Sequence, residues 1–283
     1  MTGGLLARCT FPPPGTAVTC AVSGGADSLA LLVLAMQAGC AVTAVHVDHG
    51  LRPGSAGEAD VVRDAAARYG AAFRSETVDV APGPNLEARA RAARYAVLPP
   101  DVMTGHTADD QAETVLLNLI RGAGLDGLAG MRADDRRPLL ALRRAETEKV
   151  CADEGLQPIV DPSNLDPAHR RNRVRAELLP LVNEIADRDV VPILARQAVL
   201  LRDEAEVLDL LAAALDPTDA HLLATSPPAL ARRALRRWLT EDHPPDAATV
   251  ERVLAVARNE AKAADVGGGR RVRRTKNVLR LEG

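Results

Sequence analysis

Short apolar, β-branched runs alternate with longer stretches whose apolar positions recur every three or four residues. Residues 16–22 form the first run and predict a strand; 29–37, closed by Gly39, predict a helix. Residues 41–47 read as a second strand, 58–69 as a helix stopped by Gly70, and 71–80 as a third strand. A basic helix over 86–98, a short strand over 102–105 and a helix over 112–121 follow. This alternation predicts an α/β fold, a doubly wound parallel sheet with helices on both faces. Ligands of such sheets lie beyond the carboxyl ends of the strands.

The pattern then changes. Residues 161–166 are turn-rich, and 187–215 have the periodicity of one long helix. Two helical segments, 228–240 and 247–260, precede a basic, β-like tail. The expected organisation is a catalytic domain over 1–182, a helical linker over 183–215 and a small, mostly helical C-terminal domain over 216–283.

Composition narrows the classes. Of 283 residues, 47% are hydrophobic and 26% charged, as in ordinary globular chains. No apolar run reaches the roughly 18 residues that span a bilayer, and 1–14 lacks a secretory leader, so a cytoplasmic protein is expected. Cys9, Cys20, Cys40 and Cys151 form no CxxC pair, which disfavours a zinc ribbon or an iron–sulfur site. Aromatics are only 2%, so nucleobases are not expected to stack on aromatic platforms. Acids outnumber bases over 1–167 and the reverse holds over 168–283, as in a catalytic domain with a polyanion-binding extension, or from drift in composition.

The sharpest chemistry lies between the first strand and its helix. Ser23-Gly24-Gly25-Ala26-Asp27-Ser28 lets backbone amides approach an anion, and the helix start adds positive potential. The spacing is neither GxxxxGK[ST] nor GxGxxG. Asp27 would repel phosphates unless a cation intervened, which implies Mg²⁺ beside a nucleotide.

The SGGADS stretch resembles the pyrophosphate loop of the N-type ATP pyrophosphatases, the PP-loop superfamily. Three further stretches, His46-Val47-Asp48-His49-Gly50-Leu51-Arg52, the run from Gly105 to Gly122 and Asp161-Pro162-Ser163-Asn164 with Arg170–Arg175, resemble the tRNA(Ile)-lysidine synthetases within it. The resemblance implies a ligase that uses ATP and Mg²⁺. It would adenylate the wobble cytidine of an isoleucine tRNA with a CAU anticodon. Free L-lysine would then attack, releasing AMP and pyrophosphate. A homodimer is left open.

On that reading Ser23, Gly24, Gly25, Ala26, Asp27 and Ser28 hold the pyrophosphate, and His46 and Asp48 line the adenosine. Asp27 and Asp110 face the metal. Asp110 and Glu113, three apart at a helix start, share a face for the lysine ammonium and its proton. His106 donates to phosphate, and Arg94 matches a family arginine near the α-phosphate. Arg170, Arg171, Arg173 and Arg175 form a tRNA phosphate cluster, with a solvated face as the alternative reading. Asp109 reads as a helix-start carboxylate rather than a ligand. A cytidine 2-thiolation enzyme shares the loop but needs cysteine pairs. A two-metal phosphoesterase built on His46, Asp48, His49, His106 and Asp109 leaves SGGADS unexplained.

Overall fold

The computed structural model describes residues 3–48, 50, 57–80, 83, 86–161 and 166–283. His49, Leu51 and Arg52 of the second motif, and Pro162, Ser163 and Asn164 of the fourth, lie outside the described residues. In chain order the elements are α1 (Gly3–Leu6), β1 (Ala17–Ala21), α2 (Ala26–Gln37), β2 (Ala41–Asp48), α3 (Glu58–Tyr69), β3 (Ala72–Thr77) and α4 (Leu86–Val97). Then come α5 (Ala108–Ile120), α6 (Leu125–Leu128), α7 (Arg144–Asp153), α8 (Arg170–Arg173), a π-helical turn (Val174–Leu178), α9 (Leu179–Ala186) and α10 (Val191–Ala213). The chain ends with α11 (Ala220–Thr225), α12 (Pro228–Leu239), α13 (Ala247–Ala257), β4 (Ala263–Gly267), β5 (Arg270–Thr275) and β6 (Val278–Glu282).

Two compact units result, Met1–Val199 and Leu200–Gly283, dividing within α10. In the first, β1, β2 and β3 pair in parallel in that order. Side chains alternate across the sheet. Val42 and Ala44 pack with α2, α3 and α7, whereas Val45 packs with Tyr95, Leu98 and Val102, so apolar clusters cover both faces. α2 carries Leu29, Leu31, Leu32 and Leu34 fully buried, and this helix forms the centre of the larger cluster. Among the described residues, no helix is long and apolar enough to cross a membrane.

The expected fourth strand is reduced to one residue. Met103 bridges Cys20 in parallel, its amide donating to the Thr19 carbonyl at 2.8 Å. The next amide, that of Thr104, turns away to the Arg136 carbonyl at 2.8 Å, which ends the ladder. The edge still matters. The chain leaves β1 on one side for β2 and reaches Met103 on the other, so Ser23 and Gly105 emerge where the strand order reverses.

The second unit has its own core. Leu223, Leu235, Val253, Leu254 and Val272 are completely buried together. The basic, β-like tail is a three-stranded antiparallel sheet, β4-β5-β6, that follows the helices α11, α12 and α13. Val272 and Leu279 point into the core, while Arg271 and Arg273 alternate outward, the period-2 pattern of a half-buried sheet.

Candidate active site

The turn after β1 has a shape only glycine allows at Gly24. Its φ is +87°, and a Cβ there would sit 2.4 Å from Ile159 Cδ1. Ser28 braces the turn: its hydroxyl donates to the Gly25 carbonyl at 2.8 Å and accepts from the Ser23 amide at 3.1 Å. The Ser28 proton is thus committed to the loop itself. The Ser28 amide donates to the Gly25 carbonyl at 3.1 Å, whereas those of Ala26 and Asp27, which open α2, have no intrahelical acceptor within reach and make a cradle that suits an anion. Gly105 packs directly on this turn, since a Cβ on it would lie 2.5 Å from the Asp27 carbonyl oxygen.

Beside the cradle stands a network in which Asp27, Asp109, Asp110 and Glu113 meet Arg143, Arg144, Arg171 and Arg175, with Asp189 pairing to Arg143 at its edge. Asp27, at the start of α2, accepts from the Thr147 hydroxyl and from Arg144 Nε at 3.4 Å. Arg144 also donates to Asp110 Oδ1 at 3.1 Å and to Glu113 Oε1 at 3.3 Å, joining three carboxylates from two helices. Asp110 Oδ2 accepts from the amide and hydroxyl of Thr107 at 2.9 and 3.0 Å. Arg171 donates to the other Asp110 oxygen at 3.2 Å. Glu113 is fully buried; Arg171 and Arg175 each reach it at 2.7 Å. Asp109 turns to Arg143, at 3.0 and 3.1 Å, and to the Arg144 amide at 2.8 Å.

These surroundings push the carboxylates apart. Burial raises the Asp27 pKa above the usual carboxylate value, outweighing the Thr147 hydroxyl and Arg144, and the negative charge of Asp110 adds to the rise. Burial acts the same way on Asp110, but Arg144 and Arg171 overcome it and hold its pKa low. His106, at the end of the Met103 segment, shares a 2.7 Å hydrogen bond between Nδ1 and the Thr104 hydroxyl. Burial lowers its pKa to about 4 against the pull of Asp110, so the ring is neutral at pH 7.

The other expected residues lie elsewhere. Buried His46 lies on β2 with Nδ1 3.1 Å from the Val22 carbonyl, just before the glycine turn; its buried Nε2 has no hydrogen-bond partner among the described residues. Asp48 ends β2 and accepts from the Gly50 amide at 2.9 Å, a turn-type bond. Arg94 lies over the Tyr95 ring, 5.4 Å from its centroid, and is not among the residues bonded in the network. The arginine run splits in two. Arg171 and Arg175 turn inward to Glu113, whereas Arg170 and Arg173 are exposed and Arg173 pairs with Glu177 at 2.8 Å. Arg144 and Thr147, central to the network, were not among the expected residues.

For a divalent cation, the donor set offers two carboxylates, Asp27 and Asp110, already bridged by the positive charge of Arg144. Mg²⁺ takes one or two carboxylates plus phosphate oxygens, so these residues fit it. Thiolation chemistry fits poorly. Cys20, Cys40 and Cys151 are buried in the core, and burial pushes the Cys20 thiol up to about 12 and that of Cys151 to about 11. Among the described residues, no three His, Cys, Asp or Glu gather as a metal-binding group.

A glycine turn opening a helix at the reversal of a parallel sheet, flanked by carboxylates, is the architecture of a PP-loop nucleotide-binding protein. The model of the PP-loop domain family matches residues 6–182, and the chain belongs to that family. A second model, the TilS substrate binding domain, matches 219–280. Proteins named tRNA(Ile)-lysidine synthase are similar over most of their length. That of Rhodococcus erythropolis is 46% identical over 244 residues, covering 81% of this chain and 75% of the relative. That of Nocardia farcinica is 45% identical over 251 residues, covering 82% and 78%. The chain is therefore a member of the tRNA(Ile)-lysidine synthase family. A solved U34-tRNA thiolase from Methanococcus maripaludis, which carries a [4Fe-4S] cluster, shares the fold with a TM-score of 0.57 at 18% identity, over 71% of this chain and 78% of that one.

Proposed function

We propose that this chain is the ligase that converts the wobble cytidine of an isoleucine tRNA with a CAU anticodon to lysidine, in the cytoplasm. The observation that carries the reading is that Asp27 belongs both to the anion cradle, Ser23–Ser28, and, through Arg144 and Thr147, to the carboxylate–guanidinium network. The cytidine O2 attacks the α-phosphorus of ATP and pyrophosphate leaves. The ε-amine of free lysine, after losing a proton, attacks C2, and AMP leaves with the former O2. The turn amides and the side chain of Ser23 bind the departing pyrophosphate. Mg²⁺ held by Asp27 and Asp110 would supply positive charge to the phosphates.

The network suits lysine because its ammonium and carboxylate groups can exchange partners with existing ion pairs. Asp110, kept ionised, is a partner for an ammonium; Arg171 and Arg175 are partners for a carboxylate. Glu113, saturated by three guanidinium groups, holds those arginines in place. Neutral His106 offers an uncharged ring N–H to phosphate. Residues 1–182 form the catalytic domain, 183–215 the linker and 216–283 a tRNA-binding unit.

The test is incubation with ATP, L-lysine and unmodified isoleucine tRNA. AMP and pyrophosphate should appear in step, with the anticodon heavier by lysine minus water. Release of ADP, or an anticodon carrying sulfur, would exclude the reading.

A further inference from the structure

α5 carries one continuous stripe: Asp110, Glu113, Leu117 and Ile120, spaced three or four residues apart. Its first half is the charged network. Its second half faces the bulged helix that follows Arg170, and here the seam opens into a groove of about 430 Å³. The walls are Leu117, Ile120, Val174, Leu178 and Leu181, with Arg170, Arg173 and Glu177 at the rim. Ile120 and Leu181 are 64% and 49% exposed, so apolar surface faces solvent. The π-helical turn Val174–Leu178 runs along the groove, and such wide turns occur often at functional sites.

We infer that this groove seats the base of a nucleotide adjoining the wobble position, with Arg170 and Arg173 at its phosphates; the inference rests on the proposed function. Three observations choose this occupant. Leu117 and Ile120 lie about 6 and 10 Å along α5 from Glu113, within reach of a neighbouring nucleotide when the target base is at the network. The volume is that of a small-ligand site and exceeds what one base needs. The rim bears two cations and one anion, and the Arg173–Glu177 pair leaves Arg170 as the net positive charge, complementary to a phosphodiester. Aliphatic walls beside a guanidinium plane serve here in place of the aromatic platforms this chain lacks.

The experiment uses the full chain and an anticodon stem–loop RNA with an unmodified wobble cytidine, with affinity read by fluorescence anisotropy at fixed salt. Removing the base on one side of the wobble position should weaken binding by wild type ~10-fold or more, the effect of one stacked base. Ile120→Asp and Leu181→Glu should weaken binding of the intact RNA similarly and should show no further loss on the abasic RNA. Arg170→Glu should lower the salt slope by about one. The thermal transition of each variant checks that the chain folds. Additive losses, equal affinity of wild type for both RNAs, or variants that change only the sedimentation coefficient would overturn the assignment; the last would make the groove a contact between copies. Because binding is read without turnover, failure here is distinguishable from failure of the ligase reading, which shows as absent AMP release.

Discussion

Glu113→Gln tests the network most directly. The carboxylate is 0% exposed, and three guanidinium groups reach its two oxygens: Arg171 and Arg175 at 2.7 Å and Arg144 at 3.3 Å. Glutamine keeps the shape but removes the charge and points an NH₂ group at guanidinium donors. Breaking one partner of a buried charge cluster costs about 3–5 kcal/mol. At about 2–4 °C per kcal/mol for a domain of this size, Tm should fall by roughly 6–20 °C. The two units can be followed separately, because both tyrosines, Tyr69 and Tyr95, lie in the first and the single tryptophan, Trp238, in the second. The tyrosine-monitored transition should drop while the tryptophan-monitored one stays. Glu177→Gln is the control: its pair with Arg173 is exposed and screened by solvent, so its loss should leave Tm nearly unchanged. Equal shifts for the two variants would refute the idea that Glu113 anchors the arginines.

Asp27→Asn should slow AMP release by about 10²-fold, the scale of losing one charge-stabilising group, and near-normal turnover would remove it from the phosphate site. For His106, the folded pKa of about 4 lies below the ordinary 6.5, so the unfolded chain binds the extra proton between those values. Stability from the neutral ring is present above pH 6.5 and lost as pH falls towards 4, by up to about 3 kcal/mol; His106→Gln should flatten that part of a denaturation profile, and an unchanged slope would contradict the assignment. Gly24→Ala should destabilise by about 1–3 kcal/mol and weaken ATP binding, and adding Ile159→Ala should recover part of the loss. Gly15→Ala, at φ +84° but with nothing within 4 Å of the new methyl, isolates the backbone share by calorimetry.

The strand, turn and helix around SGGADS were legible because each signal is local: a β-rich run, a glycine pair, a helix former. Asp110 and Glu113 were legible for the same reason, as spacing on one helix. The strand at 102–105 was over-read because its apolar residues report burial, and nothing local reveals that the Thr104 amide turns to Arg136. Arg144 escaped because its partners lie 31 to 117 positions away. A signal existed: Arg143 and Arg144 open α7, where the helix dipole disfavours cations unless carboxylates meet them. The run Arg170–Arg175 shows the limit of charge patterning. Composition alone cannot tell that residues four apart, 171 and 175, turn to a buried Glu113 while 170 and 173 face outward.

The distribution of these charges along the chain has a chemical consequence. Asp27, Asp109–Glu113, Arg143–Thr147 and Arg171–Arg175 come from four separate stretches, and with Asp189 on Arg143 their carboxylates and guanidinium groups are joined in one set of ion pairs. The groups of such a site are paired before anything binds, so ligands enter by exchange. Lysine, with two ammonium groups and one carboxylate, places an ammonium where a guanidinium was and a carboxylate where another acid was, and its second ammonium adds one positive charge that needs no cation. A nucleotide triphosphate only adds negative charge, and beside Asp27 that addition is unfavourable without a compensating cation. ATP binding should therefore depend steeply on the cation, and lysine binding much less. Isothermal titration of each ligand with and without Mg²⁺ separates the two, and an equal dependence would show that the network does not act as a pre-paired exchange site.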